Sequence, residues 1–228
     1  MRKAEQSLHK SLKFQYAGPS GRTEVKMCGF VCDCVTEYGE IIEVQTGSFA
    51  PLKEKVRLLT DAVVKDVDEK PILRIVHPVV VHKNIELFDS SGKLLRRRKS
   101  PRSGTKWDIF KSLVHAPELA RAPCVAIEIA LVDITEKRIR DGRGSWRRKG
   151  VSIADRILTT RYESITLTGK ADYCQFAPFE QEERFTAVEL SARSGIRPSL
   201  ARQTLFVLLN MGVVTRVGKK GRAWEYSI

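Results

Sequence analysis

Two short runs of β-forming residues around one polar turn constrain this chain more tightly than any other segment. Met27-Cys28-Gly29-Phe30-Val31-Cys32-Asp33-Cys34-Val35 reads as a strand, and Glu40-Ile41-Ile42-Glu43-Val44-Gln45-Thr46-Gly47 reads as its partner. Thr36-Glu37-Tyr38-Gly39 between them is polar and carries a glycine, the signature of a hairpin with a longer loop. A hairpin symmetric about Tyr38 sets Asp33 directly across from Glu43. Alternation places Glu43 and Gln45 on one face and Ile42 and Val44 on the other. Cys32 and Cys34 are expected on the face opposite Asp33, with Cys28 and Phe30. Two carboxylates this close repel, and are costly to bury, unless a cation lies between them. The spacing points to a divalent-metal site; the alternative is an acidic pair exposed on the open side of a sheet.

Charge narrows the partners. The chain has 228 residues and a formal net charge of +13, with 42% hydrophobic residues, enough for one large or two ordinary domains. Lysines and arginines in such excess favour a polyanion, because binding its phosphates releases counterions. Nucleic acid, DNA above all, is the first candidate and an anionic membrane surface the second. No apolar run of 18 residues and no signal-peptide pattern is present, so no membrane partner and a cytoplasmic location are expected. Five cysteines without Cys-x-x-Cys or Cys/His ligand spacing read as reduced, buried thiols.

Along the chain, a helix is expected over Ala4 to Tyr16 and another over Phe49 to Val64, with Pro51 in its first turn. Ile72 to Val81 and Cys124 to Asp133 read as buried strands, the first bent or ended by His77-Pro78. His77 itself reads as structural. Trp107 to Val114 and Val151 to Thr160 read as helices, and Tyr162 to Thr168 as a last strand. Two basic loops interrupt this order. One carries Lys93, Arg96, Arg97, Arg98, Lys99, Arg102 and Lys106, and the other Arg147, Arg148 and Lys149 beside Trp146. Together they are suited to phosphate contact, with Trp146 placed to stack on bases. Residues 169–182 read as a linker.

The last segment is patterned differently. Thr186 to Arg193 is a short helix, Ser194-Gly195-Ile196 a tight turn, and Arg197-Pro198-Ser199 opens a longer helix to Asn210. Val213 to Val217, Gly218-Lys219-Lys220-Gly221 and Arg222 to Ile228 complete a basic hairpin. Residues 183–228 thus resemble the winged helix-turn-helix family. That resemblance implies DNA contact by Ser199, Arg202 and Gln203 on the second helix and by Lys219, Lys220 and Arg222 on the wing.

The order of helix, hairpin with Asp and then Glu-x-Gln, helix and buried strand resembles the PD-(D/E)xK, or restriction-endonuclease-like, nuclease superfamily. The resemblance covers residues 4–82 by motif and 4–167 by architecture, within a nuclease-like domain of residues 1–168. It implies an α/β fold, a mixed sheet flanked by helices, followed here by the small winged-helix domain. It implies Mg²⁺ or Mn²⁺ bound by Asp33 and Glu43, with the Val44 carbonyl as a further ligand. Gln45 stands where the motif has lysine; it can hold water through its amide but brings no charge. Lys53 or Lys55 on the following helix would then supply the cation, and Glu24, or second Glu5, would complete the site. The expectation is a metal-dependent DNA endonuclease. Double-strand cleavage by such enzymes uses two active sites, which leaves a homodimer open. The alternatives are a nuclease fold kept as an inactive DNA-binding regulator or adaptor, and a protein-interaction module.

Overall fold

The computed structural model describes residues 6–63, 73–122, 124–144 and 146–228. Its centre is a pair of long apolar strands. β4 (Leu73–Phe88) and β6 (Val125–Arg140) run parallel for almost their full sixteen residues. Ile75, Val76, Ala126, Ile127 and Ile129 are almost wholly buried, as expected where a sheet is covered on both faces. The β-meander β1 (Arg22–Met27), β2 (Phe30–Val35) and β3 (Ile41–Val44) joins at one side, with β3 parallel to β4. β7 (Val151–Arg161) and β8 (Ile165–Leu167) lie antiparallel to β6, and β5 (Leu94–Lys99) lies antiparallel to β4. The result is a mixed eight-stranded sheet.

Helices cover both faces. α1 (Ser7–Ala17) buries Leu8 and Leu12 against Cys34, Ile42, Val44 and Val76. Across the sheet, a 3-10 turn at Ala50–Leu52 containing Pro51 leads into α2 (Lys53–Val63). Val56 and Leu59 of α2 pack with Cys32, Val35, Ile41 and Ile75. Ala4, Glu5, residue 64 and residue 72 lie outside the described residues.

Several expectations need correction. The first strand run is two strands, hinged at Cys28 and Gly29. Both have positive φ, 48° and 79°, as a two-residue hairpin turn matched to strand twist requires. His77-Pro78 does not end β4. The Val76 carbonyl accepts from the Gln45 N–H, so Val76 faces β3; Pro78, two residues on, points its ring nitrogen to the same side, where β3 has ended. No ladder bond is lost there. Val151 to Thr160 is the strand β7, not a helix. Its β-branched residues pair with β6, a tertiary partner that a ten-residue run does not advertise. The first basic tract is largely the strand β5 rather than a loop.

Residues 169–182 are a structured bridge. They include α4 (Lys170–Cys174) and bury Tyr173 and Phe176. The Phe176 ring meets Trp107 at 5.1 Å and Phe110 at 4.8 Å, both edge-on. Phe110 opens α3 (Phe110–Leu113), which packs on the C-terminal segment. That segment comprises β9 (Phe185–Thr186), α5 (Ala187–Ser194), α6 (Pro198–Asn210), β10 (Thr215–Lys220) and β11 (Ala223–Ser227). Thr186 and Glu189 form a reciprocal capping box at the start of α5, and Gly195 ends it at φ 64°. β10, β11 and β9 make a three-stranded sheet beside the two helices. Among the described residues, no helix is long and apolar enough to cross a membrane.

Buried charge ties α1 to the sheet. Glu128 on β6 is 2% exposed and accepts from the Tyr16 hydroxyl, from Arg74 at 2.9 Å and from Arg161 at 3.2 Å. Burial pushes its pKa up, but the Tyr16 and Arg74 contacts outweigh that, and the carboxyl ends below its ordinary value. Because the folded pKa is depressed, its stabilisation is present above the unfolded value of about 4.3 and is lost as pH falls. Glu128→Gln should cost about 3–5 kcal/mol at neutral pH in urea unfolding. The loss of stability below about pH 4.3 should be shallower in the variant than in the parent. A cost under about 1 kcal/mol would contradict a structural role for this network.

Candidate functional site

The ladder between β2 and β3 pairs Val35 with Ile41 and Cys34 with Ile42, and then stops. At the next position the side chains take over the hydrogen bonding. The Asp33 N–H donates to Glu43 Oε1 at 3.2 Å, and the Val44 N–H donates to Asp33 Oδ2 at 2.8 Å. Asp33 thus faces Glu43, as hairpin symmetry predicts. Both carboxylates lie in the mouth between the strands rather than side by side on one sheet face. The break also separates the cysteines. Cys32 packs on the α2 side and Cys34 on the α1 side, against the expectation of a shared face. Burial pushes the Cys32 thiol up to about 11 and Cys34 up to about 12, so neither supplies a thiolate.

Each carboxylate has a basic neighbour from a different helix. From α2, the Lys55 ammonium pairs with Glu43 Oε1 and also donates to the Val31 carbonyl at 2.6 Å. From α1, His9 Nε2 lies 3.2 Å from Asp33 Oδ2. Burial, with Asp33 adding to it, holds the Glu43 pKa above its ordinary value even though Lys55 pulls it down. These contacts fall, among the described residues, on Asp33 Oδ2 and Glu43 Oε1. Among the described residues, no three His, Cys, Asp or Glu side chains converge as a metal cage. What meets here is a pair of carboxylates, and Mg²⁺, which keeps several waters, can be held by as few as one or two.

The other expected members lie elsewhere. Lys53 pairs with Glu118 at 2.7 Å, both about half exposed. Two residues turn a helix by roughly 200°, so Lys53 and Lys55 cannot serve the same side. Glu24 sits beside Asp33 in the β1–β2 register, but its carboxylate pairs with the buried Lys13 at 3.2 Å. Gln45 turns its amide away, donating to the Ser48 carbonyl at 2.7 Å. The Gln45 backbone carbonyl accepts from His77 Nδ1 at 2.6 Å, and the His77 ring stands edge-on to Phe49. Burial depresses the His77 pKa, consistent with a neutral ring that donates from Nδ1 and anchors the end of β3. Sequence reading missed His9 and Lys13. Their i, i+4 spacing, each one residue after Leu8 and Leu12, is the signal that both line one edge of α1.

The basic residues divide between two concavities. Arg102, Lys83 and Lys106 line a cleft of about 920 Å³ with Ser199 and Gln203 of α6, beside Thr46 at the end of β3. Arg202 and Phe206 of the same helix face outward. Arg96 and Arg98 share a second groove with Arg147 and Arg148, whereas Arg97 pairs with Glu86 at 2.8 Å. Lys99 and Lys149 are exposed. On the C-terminal hairpin Lys220 is held by Glu189 at 3.0 Å, while Arg222 is exposed. Arg216 and Lys219 flank the ring of the exposed Trp224 at 4.8 and 4.5 Å.

Fold and site together define a mixed α/β protein with a carboxylate–lysine centre at the mouth of a β-hairpin. The chain belongs to the family described as Domain of unknown function (DUF8091), whose profile matches residues 6–168. It is 26% identical over 223 residues to an uncharacterized protein of Treponema pallidum (strain Nichols), covering 97% of this chain and 84% of that one. No solved structure matches it.

The two lysines of α2 give a direct test of the site's electrostatics. Lys55→Met should destabilise the fold by about 3 kcal/mol at pH 7, because it strands the buried Glu43 carboxylate. That penalty should shrink as pH falls through the raised Glu43 pKa, since protonation removes the unpaired charge. Lys53→Met should stay within about 0.5 kcal/mol at every pH. Equal penalties in urea unfolding at pH 5 and pH 7 would contradict this assignment.

Proposed function

We propose that this protein is a metal-dependent endonuclease-like enzyme that hydrolyses phosphodiester bonds of DNA. The observation that carries the proposal is the mouth of the hairpin, where Asp33 and Glu43 meet under the Lys55 ammonium. The order α1, β1–β2–β3, α2, β4, with β3 parallel to β4, supports the resemblance to the PD-(D/E)xK superfamily. The two helices beside a basic strand-turn-strand support the winged-helix reading of residues 183–228.

Asp33, Glu43 and the Val44 carbonyl would hold Mg²⁺ or Mn²⁺. When bound, such a cation acidifies water and stabilises charge on a phosphate under attack. The chain's own residues prepare that centre. Lys55 pulls the Glu43 pKa down against burial, taking the part that Gln45 cannot. His9 fixes Asp33, and His77 fixes the backbone that carries Glu43. Lys83, Arg102 and Lys106 give the neighbouring cleft a positive lining for the DNA backbone, and Ser199 and Gln203 of α6 reach it from the other side.

A second reading, a nuclease fold kept for DNA binding alone, is favoured by the Gln45 amide facing Ser48 instead of the carboxylates. One experiment separates the two. With supercoiled plasmid and Mg²⁺ or Mn²⁺, the proposal expects nicked or linear product that chelator abolishes. Asp33→Asn and Glu43→Gln should each remove the activity, and Lys55→Met should lower it about 100-fold. Cleavage that survives Asp33→Ala and Glu43→Ala together would sink the site assignment, and purified protein without metal-dependent cleavage would favour the binding-only reading.

A further inference from the structure

The groove at the far end of the sheet is a concentration of charge with no internal answer. Arg96 and Arg98 alternate on β5, so they share a face, and Ile85 and Leu87 of β4 pair with Arg98 and Arg96. Arg147 and Arg148, in a short helical turn some fifty residues later, line the same groove of about 190 Å³, with Arg138 and Val151. Arg138 is already bound to Glu136 at 2.6 Å. Among the described residues, no carboxylate lies within ion-pair distance of Arg96, Arg98, Arg147 or Arg148, although Arg97 beside them is paired. Two of the four donate only to backbone carbonyls: Arg98 to Lys99, and Arg148 to Val151. Four guanidinium groups gathered around an aliphatic floor repel one another unless an anion joins them.

Trp146 indicates the kind of anion. It precedes Arg147 and Arg148 in the same turn, is 83% exposed, and has the Arg147 guanidinium 5.6 Å from its ring. An exposed indole among arginines suits a polynucleotide, where it can wedge at a base step beside the phosphates, better than it suits a free phosphate. Distance indicates the extent. Ile75 is the register partner of Glu43, and Glu86 that of Arg97. At about 3.3 Å per residue, the length of β4 between them is roughly 36 Å, close to one turn of B-form DNA.

We propose that this groove is a second nucleic-acid contact, gripping the backbone about one helical turn away from Asp33 and Glu43. The enzyme therefore needs a duplex longer than its cleavage centre alone would cover. The spacing rests on the nuclease reading; the contact itself does not.

The test is anisotropy of labelled duplexes of about 8 and 24 base pairs, without metal, across a salt series; at 3.4 Å per pair only the longer one spans the interval. Arg96→Gln/Arg98→Gln/Arg147→Gln/Arg148→Gln should weaken binding of the long duplex at least about tenfold and reduce its salt slope by about 2 or more. The parent should bind the long duplex at least about tenfold more tightly than the short one, which can occupy either end but not both, and the quadruple variant should lose that difference. The milder Arg147→Gln/Arg148→Gln variant should show part of the same loss, and matching circular-dichroism melts should confirm that both variants fold. Equal affinity of the parent for both lengths, or no loss on the long one in the variant, would overturn the proposal. So would inorganic triphosphate competing at micromolar concentration, which would make the groove a small-anion pocket. Length-dependent binding without cleavage would leave this inference standing and remove the nuclease reading.

Discussion

The proposed cleavage centre depends on one departure from regular sheet pairing. After Cys34 and Ile42, the β2–β3 ladder gives way to an exchange between side chains and backbone, Asp33 N–H to Glu43 and Val44 N–H to Asp33. A buried N–H must find an acceptor, and here the acceptors are two carboxylates. The exchange orients both acids by main-chain geometry, so neither relies on long, loosely held side-chain contacts. It also places two like charges close together in a half-buried mouth, which is costly unless positive charge answers them.

Lys55 of α2 supplies that charge from one face, and His9 of α1 contacts Asp33 from the other, so both helices that complete the fold reach the centre. His77, buried behind the end of β3, turns a possible strand break into an anchor. The same sheet extends far beyond this centre as β4 and β6, and its distal end carries unpaired arginines. On the proposed reading, a polar centre at one end and a cationic grip at the other would let one rigid element measure a substrate's length.

Local patterns carried much of this fold in the sequence. The polar turn around Tyr38 fixed the Asp33–Glu43 register, and continuous apolar runs located β4 and β6. The capping residues and glycine of residues 186–195 marked the C-terminal helices. What was hidden depended on tertiary partners. Val151 to Thr160 has a period compatible with helix or strand until β6 is beside it. Lys53 and Lys55 are indistinguishable by composition and are separated only by the angle at which α2 meets the sheet. His9 sits far from the hairpin in sequence and reaches Asp33 only because α1 crosses that face. The two basic tracts read as separate loops because nothing local reveals that β5 folds back along β4.

The central claim is that Asp33 and Glu43 form a cation site, and anomalous scattering from crystals soaked in Mn²⁺ tests it most directly. The account predicts a peak within roughly 2.0–2.4 Å of an oxygen from each carboxylate, with the Val44 carbonyl as a further ligand. It also predicts that the peak disappears in Asp33→Asn crystals. Saturating Mn²⁺ that leaves the Glu43–Lys55 pair intact, with no peak at the mouth of the hairpin, would contradict it.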